Sequence, residues 1–394
     1  MAKIRLHSLA DLISVAEEAK SRYNSLADRA AAIYAPAVHL LAFAAFVMWM
    51  YPSGSDVRYS LNIAVATLII TCPCALGLAV PAVSTVASGA LFRRGLLVKH
   101  ATALERLAEV DTVIFDKTGT LTLGKPALLN LRNIAPQDLA LAATLAMASA
   151  HPRSRAIVAA TQGQELPTVT LTGIKELPGY GISGFWNGKR VALGRADWAG
   201  LAGQGTVLAV DDHIHATFEF QDILRAGVGQ LLEHLQNRSL PVTLLSGDTA
   251  SNVKRFAEII NLTDWRSDVL PTEKAKFLKK LSTQGKHVLM VGDGLNDTAA
   301  MALAHVSIAP ASALDATRVA ADIVLISGDV SKIEDALRIA RSARQRILEN
   351  FGVAACYNMI AVPFAFFGFA TPLSAAIAMS TSSIIVSLNA LRVR

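Results

Sequence analysis

Residues 112–122 read Thr-Val-Ile-Phe-Asp-Lys-Thr-Gly-Thr-Leu-Thr. A short apolar run bounded by turn residues has the pattern of a buried strand, and it delivers Asp116 into a glycine-containing turn. An aspartate placed there can attack a γ-phosphate. Lys117, with the hydroxyls and backbone N–H groups of residues 118–120, can neutralise the charge that develops on the phosphoryl oxygens. The same string also describes an Asx turn at a strand exit, so the rest of the chain has to decide between the two.

Outward from this strand the sequence alternates in period. Strand-like runs occupy 112–115, 242–245, 287–291, 306–309 and 323–326, and helix-like runs occupy 223–237, 249–260 and 272–283. Such alternation predicts a parallel sheet with helices on both faces, whose ligands sit at the carboxyl ends of the strands. Asp116, Asp248 and Asp293 each fall just after such a strand. Residues 127–221 interrupt the pattern with an alanine-rich helix at 139–150, Gly-rich β-like segments and a hairpin-like 207–220, which predicts an inserted domain.

The 394 residues are 52% hydrophobic, 6% aromatic and 17% charged, too apolar for an ordinary soluble enzyme and too charged for a wholly embedded one. Three stretches account for the excess: 33–55, uncharged apart from the titratable His39, 59–92 and 351–391. A crossing helix takes about 20 apolar residues, so the first two allow one span each and the third two, broken near Thr371-Pro372. Buried helices of a large globular core are the alternative. Arg93, Arg94, Lys99 and His100 follow the second stretch, Arg338, Arg341, Arg344 and Arg346 precede the third, and Arg392 and Arg394 end the chain. This bias places the large loop and both termini on the cytoplasmic side of an integral membrane protein, as in a bacterial inner membrane, with the lipid bilayer as a partner. The net charge of +6 is therefore positive-inside charge, and no basic stripe interleaved with aromatics points to nucleic acid. Residues 6–18 are charged and amphipathic, unlike a secretory signal. Cys72, Cys74 and Cys356 all lie in the apolar stretches, so no disulfide framework is expected.

Beside Asp116, the loop offers Ser246-Gly247-Asp248, Lys274 three residues after Pro271, and Gly292-Asp293-Gly294-Leu295-Asn296-Asp297. A hydroxyl and a lysine can hold a transferred phosphoryl group, and carboxylates at a glycine-flanked turn can position Mg²⁺. Each alone also reads as a turn; their joint order favours phosphoryl transfer. Gly119, Gly124 and Lys125 fit Walker spacing, but Pro126 follows and offers no hydroxyl for Mg²⁺. In the second apolar stretch, the cysteines of Cys72-Pro73-Cys74 would point about 200° apart on a regular helix. Pro73 removes a backbone hydrogen bond and can unwind the helix locally, letting both sulfurs converge on a soft ion such as Cu(I). Two small apolar cysteines packed in a bundle are the alternative.

These motifs resemble the haloacid-dehalogenase-like phosphotransferases and, within them, the P-type ATPases, whose Asp-Lys-Thr-Gly-Thr signature is matched from Asp116 to Thr120. The resemblance implies a membrane α-helical bundle joined to an α/β, Rossmann-like phosphorylation domain with an inserted α+β nucleotide-binding domain. The expected division is 1–30 as the tail of a preceding actuator domain, 31–92 as two transmembrane helices, 93–126 and 222–347 as the phosphorylation domain, 127–221 as the nucleotide-binding domain and 348–394 as two further helices. Soluble phosphatases of the superfamily place a second aspartate two residues after the nucleophile; here Thr118 stands there, so a phosphoaspartate would persist. The resemblance implies catalytic roles for Asp116, Lys117, Thr118, Ser246 and Lys274. It implies ATP contacts from Gly247, Asp248 and Asn296, and Mg²⁺ ligation by Asp116, Thr118, Asp293 and Asp297.

His151-Pro152 and Gly179-Tyr180-Gly181 resemble the adenine-binding histidine and glycine loop of the heavy-metal subgroup, although Ala150 stands where that subgroup usually carries an acidic residue. Cys72 and Cys74 with Tyr357-Asn358, Met379 and Ser382-Ser383 resemble the ligand set of the Cu(I)-transporting branch. The zinc and cadmium branch adds a lysine and an aspartate in the later helices, and neither occurs in 351–391. The expected cargo is a soft monovalent ion, Cu(I) or Ag(I) with Cu(I) favoured, delivered by a metal-donor protein or thiol carrier, with Cys356 as an extra soft donor of no assigned role. The resemblance is to the C-terminal part of such pumps. The Thr-Gly-Glu loop that hydrolyses the phosphoaspartate does not occur in this sequence, Thr172-Gly173-Ile174 being the nearest string. The chain alone is thus not expected to complete a transport cycle, and a separate actuator-containing polypeptide is the expected complement.

Overall fold

The computed structural model describes residues 25–71, 74–177, 179–198, 205–294, 297–313 and 315–393. The chain begins with three apolar helices, α1 (Leu26–Met50), α2 (Val57–Ile70) and α3 (Cys74–Phe92). Ser25 and Asp28 start α1 as a reciprocal capping box, and the Asp56 carboxylate accepts the N–H groups of Arg58 and Tyr59 to start α2. At the far end of α2 the Thr71 hydroxyl donates back to the Thr67 carbonyl at 2.6 Å, and a new helix opens at Cys74. The second apolar stretch is thus two helices rather than one regular span, and Cys72-Pro73, between them, lies outside the described residues.

Next come β1 (Leu96–Val98), α4 (Ala101–Ala108), β2 (Thr112–Asp116) and, after the turn, β3 (Thr122–Leu128), α5 (Pro136–Ala146), α6 (Pro152–Thr161), β4 (Thr172–Leu177), β5 (Gly181–Trp186), β6 (Lys189–Arg195), β7 (Thr206–Val210), β8 (His213–Phe218) and β9 (Phe220–Leu224). The chain returns through α7 (Val228–Asn237), β10 (Val242–Leu245), α8 (Ala250–Ile259), β11 (Trp265–Arg266), α9 (Pro271–Thr283), β12 (Val288–Val291), α10 (Thr298–Leu303), β13 (Val306–Pro310), α11 (Asp315–Ala320) and β14 (Ile323–Leu325). It ends with the long α12 (Lys332–Phe366) and α13 (Pro372–Ala390).

The molecule divides into two compact units, one formed by the chain up to Lys117 together with the chain from Ala226 onward, the other by Thr118–Arg225. In the first unit seven described strands form one sheet in the order β1-β14-β13-β12-β2-β10-β11, parallel except for β1. β2 lies between β10 and β12, with Phe115 in register with Leu244 on one side and Val291 on the other. The chain fills one side of β2 first and then the other, so the sheet's switch point lies at the carboxyl end of β2, where an open α/β sheet binds ligands. The inner strands β2, β10 and β12 are buried throughout, as a parallel sheet covered on both faces requires.

From Lys332, α12 runs 35 residues, roughly 50 Å at 1.5 Å per residue, from the sheet region into the apolar bundle. Its buried stripe, Ile333, Ala336, Leu337, Ala340, Ala343, Ile347, Asn350 and Ala354, follows the helical period. Both α12 and α13 are long and apolar enough to cross a membrane, and Tyr34–Met50, α2 and Gly77–Phe92 are shorter apolar helices. Large apolar side chains cover the outside of the bundle: Met359 is 76% exposed and Ile360 75%. A water-soluble protein rarely leaves so much apolar surface uncovered.

The second unit packs α5 and α6 on a five-stranded antiparallel sheet, β4-β5-β6-β7-β8, through Leu141, Leu145, Ile157, Val191, Leu193 and Leu208. Beside them, β3 and β9 pair as an antiparallel ribbon. Two sequence expectations fail here. Residues 223 and 224 are not the start of a helix over 223–237: Leu224 pairs with Thr122 in the ribbon, and the helix starts only after Gly227, since cross-strand pairing outweighs a periodicity both states could satisfy. The helix expected over 139–150 ends at Ala146, because Pro152 forbids helical backbone just before it and opens α6 instead. Gly124 and Lys125 lie within β3, not in a phosphate loop before a helix.

Candidate active site

Asp116 is the last residue of β2 and 6% exposed. Gly119, at φ +72°, turns the chain sharply away from the strand, a conformation that only glycine adopts without strain. Lys274 approaches from α9. Pro271 sits at the first helical position and Glu273 accepts the Leu270 N–H at 2.9 Å, which fixes the first turn and buries Lys274 on its inner face. Its ammonium donates to Asp116 Oδ1 and, at 2.7 Å, to Asp297 Oδ1. Asp293 follows β12, and carboxylate oxygens of Asp116, Asp293 and Asp297 lie within 4.8 Å of one another.

Two carboxylates thus share one ammonium, and a third lies beside them. Burial and then the charge of Asp297 push Asp116 up to about 7, against the opposing pull of Lys274. Burial alone would favour losing the Lys274 proton, but Asp116 and Asp297 outweigh it and hold its pKa above the ordinary lysine value. The surplus negative charge and the all-oxygen donor set suit Mg²⁺. Beside Asp297, the buried Thr298 Oγ1 has no hydrogen-bond partner.

Lys117, expected to face the phosphoryl oxygens, donates instead to Asp248 Oδ2 at 2.6 Å. Burial opposes ionisation of Asp248, yet the bonds from Asn252 and Lys117 hold its carboxyl below the usual range. Ser246 Oγ accepts the Asp248 N–H at 3.1 Å, closing the turn around Gly247. Thr118 is exposed, with an extended backbone. Asn296 lies outside the described residues. Sequence reasoning missed Arg225, whose guanidinium donates to the carbonyls of Gly119 and Thr120 and pins the turn after Asp116.

In the second unit a pocket is lined by Ser149, His151, Glu176, Gly179, Gly181 and Arg195, among others. His151 caps α6, which Pro152 opens; its Nδ1 accepts the Arg153 N–H at 3.2 Å. Glu176 brings a carboxylate to this pocket and accepts the Ser149 hydroxyl at 2.5 Å. No local signal exposed it, because Glu176 reaches the pocket across strand pairing. Gly181 and Gly194 face each other in β5 and β6, and a Cβ on Gly181 would stand 2.6 Å from the Leu193 carbonyl oxygen. Gly181→Ala is therefore expected to force the strands apart at a cost of about 1–3 kcal/mol and to weaken nucleotide binding. Thermal denaturation and nucleotide titration of the variant check this; unchanged values for both would show that the close approach is not required.

In the bundle, Tyr357 packs against the apolar cluster of Ala66, Ile70, Ala365, Ala370 and Ala375, which reaches the end of α2. Cys72 lies outside the described residues, as does the side chain of Cys74. Asn358 Nδ2 donates to the Tyr34 hydroxyl at 2.7 Å, a partner that sequence reasoning missed. Among the described residues, the Tyr357 hydroxyl, Asn358 Oδ1 and Ser382 Oγ are buried without hydrogen-bond partners. Ser383 donates to the carbonyl of Met379 at 3.2 Å. Cys356 is exposed on the surface of α12.

An aspartate at the switch point of a parallel sheet, bonded to a lysine and grouped with two further carboxylates, defines a phosphoryl-transfer protein of the haloacid dehalogenase class, and the haloacid dehalogenase-like hydrolase family model matches residues 110–305. The nitrogen fixation protein FixI of Rhizobium meliloti (strain 1021) is 44% identical over 391 residues, covering 97% of this chain and 51% of that protein. A copper-transporting P-type ATPase of Rhizobium leguminosarum bv. viciae is 35% identical over 420 residues, covering 99% and 50%. A zinc-transporting PIB-type ATPase, solved in its E2.Pi state, superposes with a TM-score of 0.84 at 30% identity, covering 98% of this chain and 66% of that one. The chain belongs to the heavy-metal, or PIB-type, P-type ATPases, which are embedded in membranes. It spans about half the length of the curated relatives it matches.

Proposed function

We propose that this chain carries the phosphorylation, nucleotide-binding and ion-binding parts of a Cu(I)-translocating P-type ATPase. The observation that carries the reading is the convergence of Lys274, Asp293 and Asp297 on the buried Asp116. An Asp116 carboxylate oxygen attacks the γ-phosphorus of ATP, the bond from phosphorus to the β–γ bridging oxygen breaks, and ADP leaves with that electron pair. Lys274 stays beside the new acyl phosphate and offsets its charge, while Lys117, braced by Asp248, and Ser246 border the entry to the site. Asp116, Asp293 and Asp297, with Thr118, would hold Mg²⁺, which supplies charge neutralisation of the phosphoryl oxygens. With Thr118 in place of a second aspartate, no carboxylate two residues on activates water, so the acyl phosphate endures. ATP enters the pocket of the second unit, where His151, Gly179 and Gly181 flank the adenine and Glu176 supplies a carboxylate.

On this reading the phosphorylation domain is 93–126 with 222–347, the nucleotide-binding domain is 127–221, and four crossings lie in 31–92 and 348–394, with both termini and the large loop cytoplasmic. The arginines flanking the apolar helices support that orientation. Copper is favoured because thiolates and a thioether select soft ions. Residues 351–391 also contain no histidine, aspartate or glutamate, the side chains that a zinc site usually adds. The oxygens of Tyr357, Asn358 and Ser382, buried in the bundle without partners among the described residues, support an ion site there. A thiol carrier or metal-donor protein would pass Cu(I) to Cys72 and Cys74 by ligand exchange, and a Thr-Gly-Glu-bearing actuator segment would hydrolyse the acyl phosphate.

The test is incubation of the purified chain with labelled ATP, Mg²⁺ and Cu(I). The expected product is a hydroxylamine-sensitive phosphoprotein whose yield depends on Cu(I) and falls to the copper-free level in the Cys72→Ser/Cys74→Ser variant. Stoichiometric Cu(I) binding without label would make the chain a metal-binding regulator instead. Rapid multiple-turnover phosphate release would make it a membrane-tethered phosphatase, and label stimulated by Zn²⁺ alone would overturn the choice of copper.

A further inference from the structure

At the edge of the seven-stranded sheet opposite Asp116, the residues that lead into three neighbouring strands meet. Glu109 closes α4, Asp111 precedes β2, His287 precedes β12, and His305 precedes β13. Because β12 pairs with both β2 and β13, these short approaches come side by side. His305 Nε2 lies 3.1 Å from Glu109 Oε2, and the His287 and His305 rings stand 4.5 Å apart at 52°. One ligand atom from each of Glu109, His287 and His305 falls within 4.8 Å of the other two. Asp111 Oδ2 is 3.8 Å from His287 Nδ1, close enough to orient that ring.

A hydrogen bond from His305 to Glu109 is the plain structural reading, and it accounts for one imidazole. It leaves unexplained why a second imidazole from the adjacent strand is stacked against the first with its own carboxylate behind it. Two imidazoles so close disfavour double protonation, and the Arg106 guanidinium, bound to Asp322 and to the His305 carbonyl, adds positive charge nearby. Neutral imidazoles and an ionised carboxylate are the forms that ligate metals.

We propose that Glu109, His287 and His305 form a second, peripheral metal site, for a borderline divalent transition-metal ion of the Zn²⁺ type. Imidazole and carboxylate donors with no thiolate suit Zn²⁺ rather than Cu(I), and a three-residue set leaves one tetrahedral position for water. Four strand residues, Val288–Val291, separate this site from the turn that carries Asp293, roughly 13 Å of extended chain, so it is distinct from the carboxylate cluster around Asp116. An ion there would tie the end of α4, which follows the membrane helices through β1, to the entry of two core strands. It would brace the sheet against the segment leading into the bundle.

The experiment uses the full chain in detergent with all three cysteines changed to serine and Mg²⁺ in excess, titrated with Zn²⁺ and, for its ligand-field spectrum, with Co²⁺. One Zn²⁺ per chain is expected, with a raised thermal midpoint and a thiolate-free Co²⁺ spectrum of low coordination number. His287→Ala and His305→Ala should each lower affinity roughly tenfold or more and remove the thermal shift. Glu109→Gln, which keeps a hydrogen bond to His305, should weaken binding without altering the metal-free midpoint. If His305→Ala does not fold, the more exposed His287→Gln carries the test. Undiminished Zn²⁺ binding in His287→Gln, or no Zn²⁺ bound by the cysteine-free chain, overturns the site.

Discussion

The Asp116→Asn variant is expected to form no acyl phosphate, and yet to be more thermally stable than the parent chain at alkaline pH. The first effect follows from chemistry: an amide is no nucleophile toward phosphorus, and no other side chain bonded to Lys274 could take over the attack without moving. The loss should be of several orders of magnitude, down to background labelling. The second follows from electrostatics. The Asp116 carboxyl is raised from 3.8 to about 7 in the fold by burial and by Asp297. In the unfolded chain it ionises near its ordinary value, so between these two pH values ionisation favours unfolding, and above about 7 the penalty is fully present. Asparagine has no charge to bury and still accepts the Lys274 hydrogen bond. In EDTA the midpoint of Asp116→Asn should therefore exceed the parent's at pH 8, and the gap should close as pH falls toward 4. A gap that is absent at pH 8, or that grows on acidification, would mean that Asp116 is not the strained carboxylate of the cluster.

Much of this site was legible in the sequence, because its parts are local. A four- or five-residue apolar run, a carboxylate and a turn glycine can be read within a single window, and three such windows end in Asp116, Asp248 and Asp293. The order of strands in the sheet was not legible, nor which lysine meets Asp116. Lys117 is adjacent in sequence but turns toward Asp248, while Lys274, 158 residues away, makes the contact. Side chains alternate across a strand, so the neighbour of a strand-end residue points elsewhere, whereas a helix that starts over the switch point aims its first turn inward. Arg225, Glu176 and Tyr34 escaped for the same reason. Each is a single residue in an undistinguished segment, and its role exists only through contacts across strands or helices. The misjudged 223–237 segment shows the converse, a local pattern compatible with helix that tertiary pairing divided between β9 and α7.

Lys274→Met is expected to be the most damaging single substitution for stability in the metal-free protein. The side chain is 3% exposed, and its ammonium is bonded to Asp116 and Asp297, with Asp293 close by. Methionine keeps most of the volume, so the loss is of charge rather than of packing. Removing one partner of a buried ionic group strands the other, at a cost of about 3–5 kcal/mol. Here it strands Asp116 and Asp297 at once. Two consequences separate this account from simple misfolding. Mg²⁺, which would answer the same negative charge, should restore much of the lost midpoint in Lys274→Met while shifting the parent less. In addition, Asp116→Asn should rescue Lys274→Met in EDTA, because the double variant buries one carboxylate fewer. The coupling between two groups in direct contact should make the pair clearly non-additive. Additive losses, with no differential effect of Mg²⁺, would show that Lys274 supports the fold through its aliphatic stem, and the balance of charge around Asp116 would have to come from elsewhere in the site.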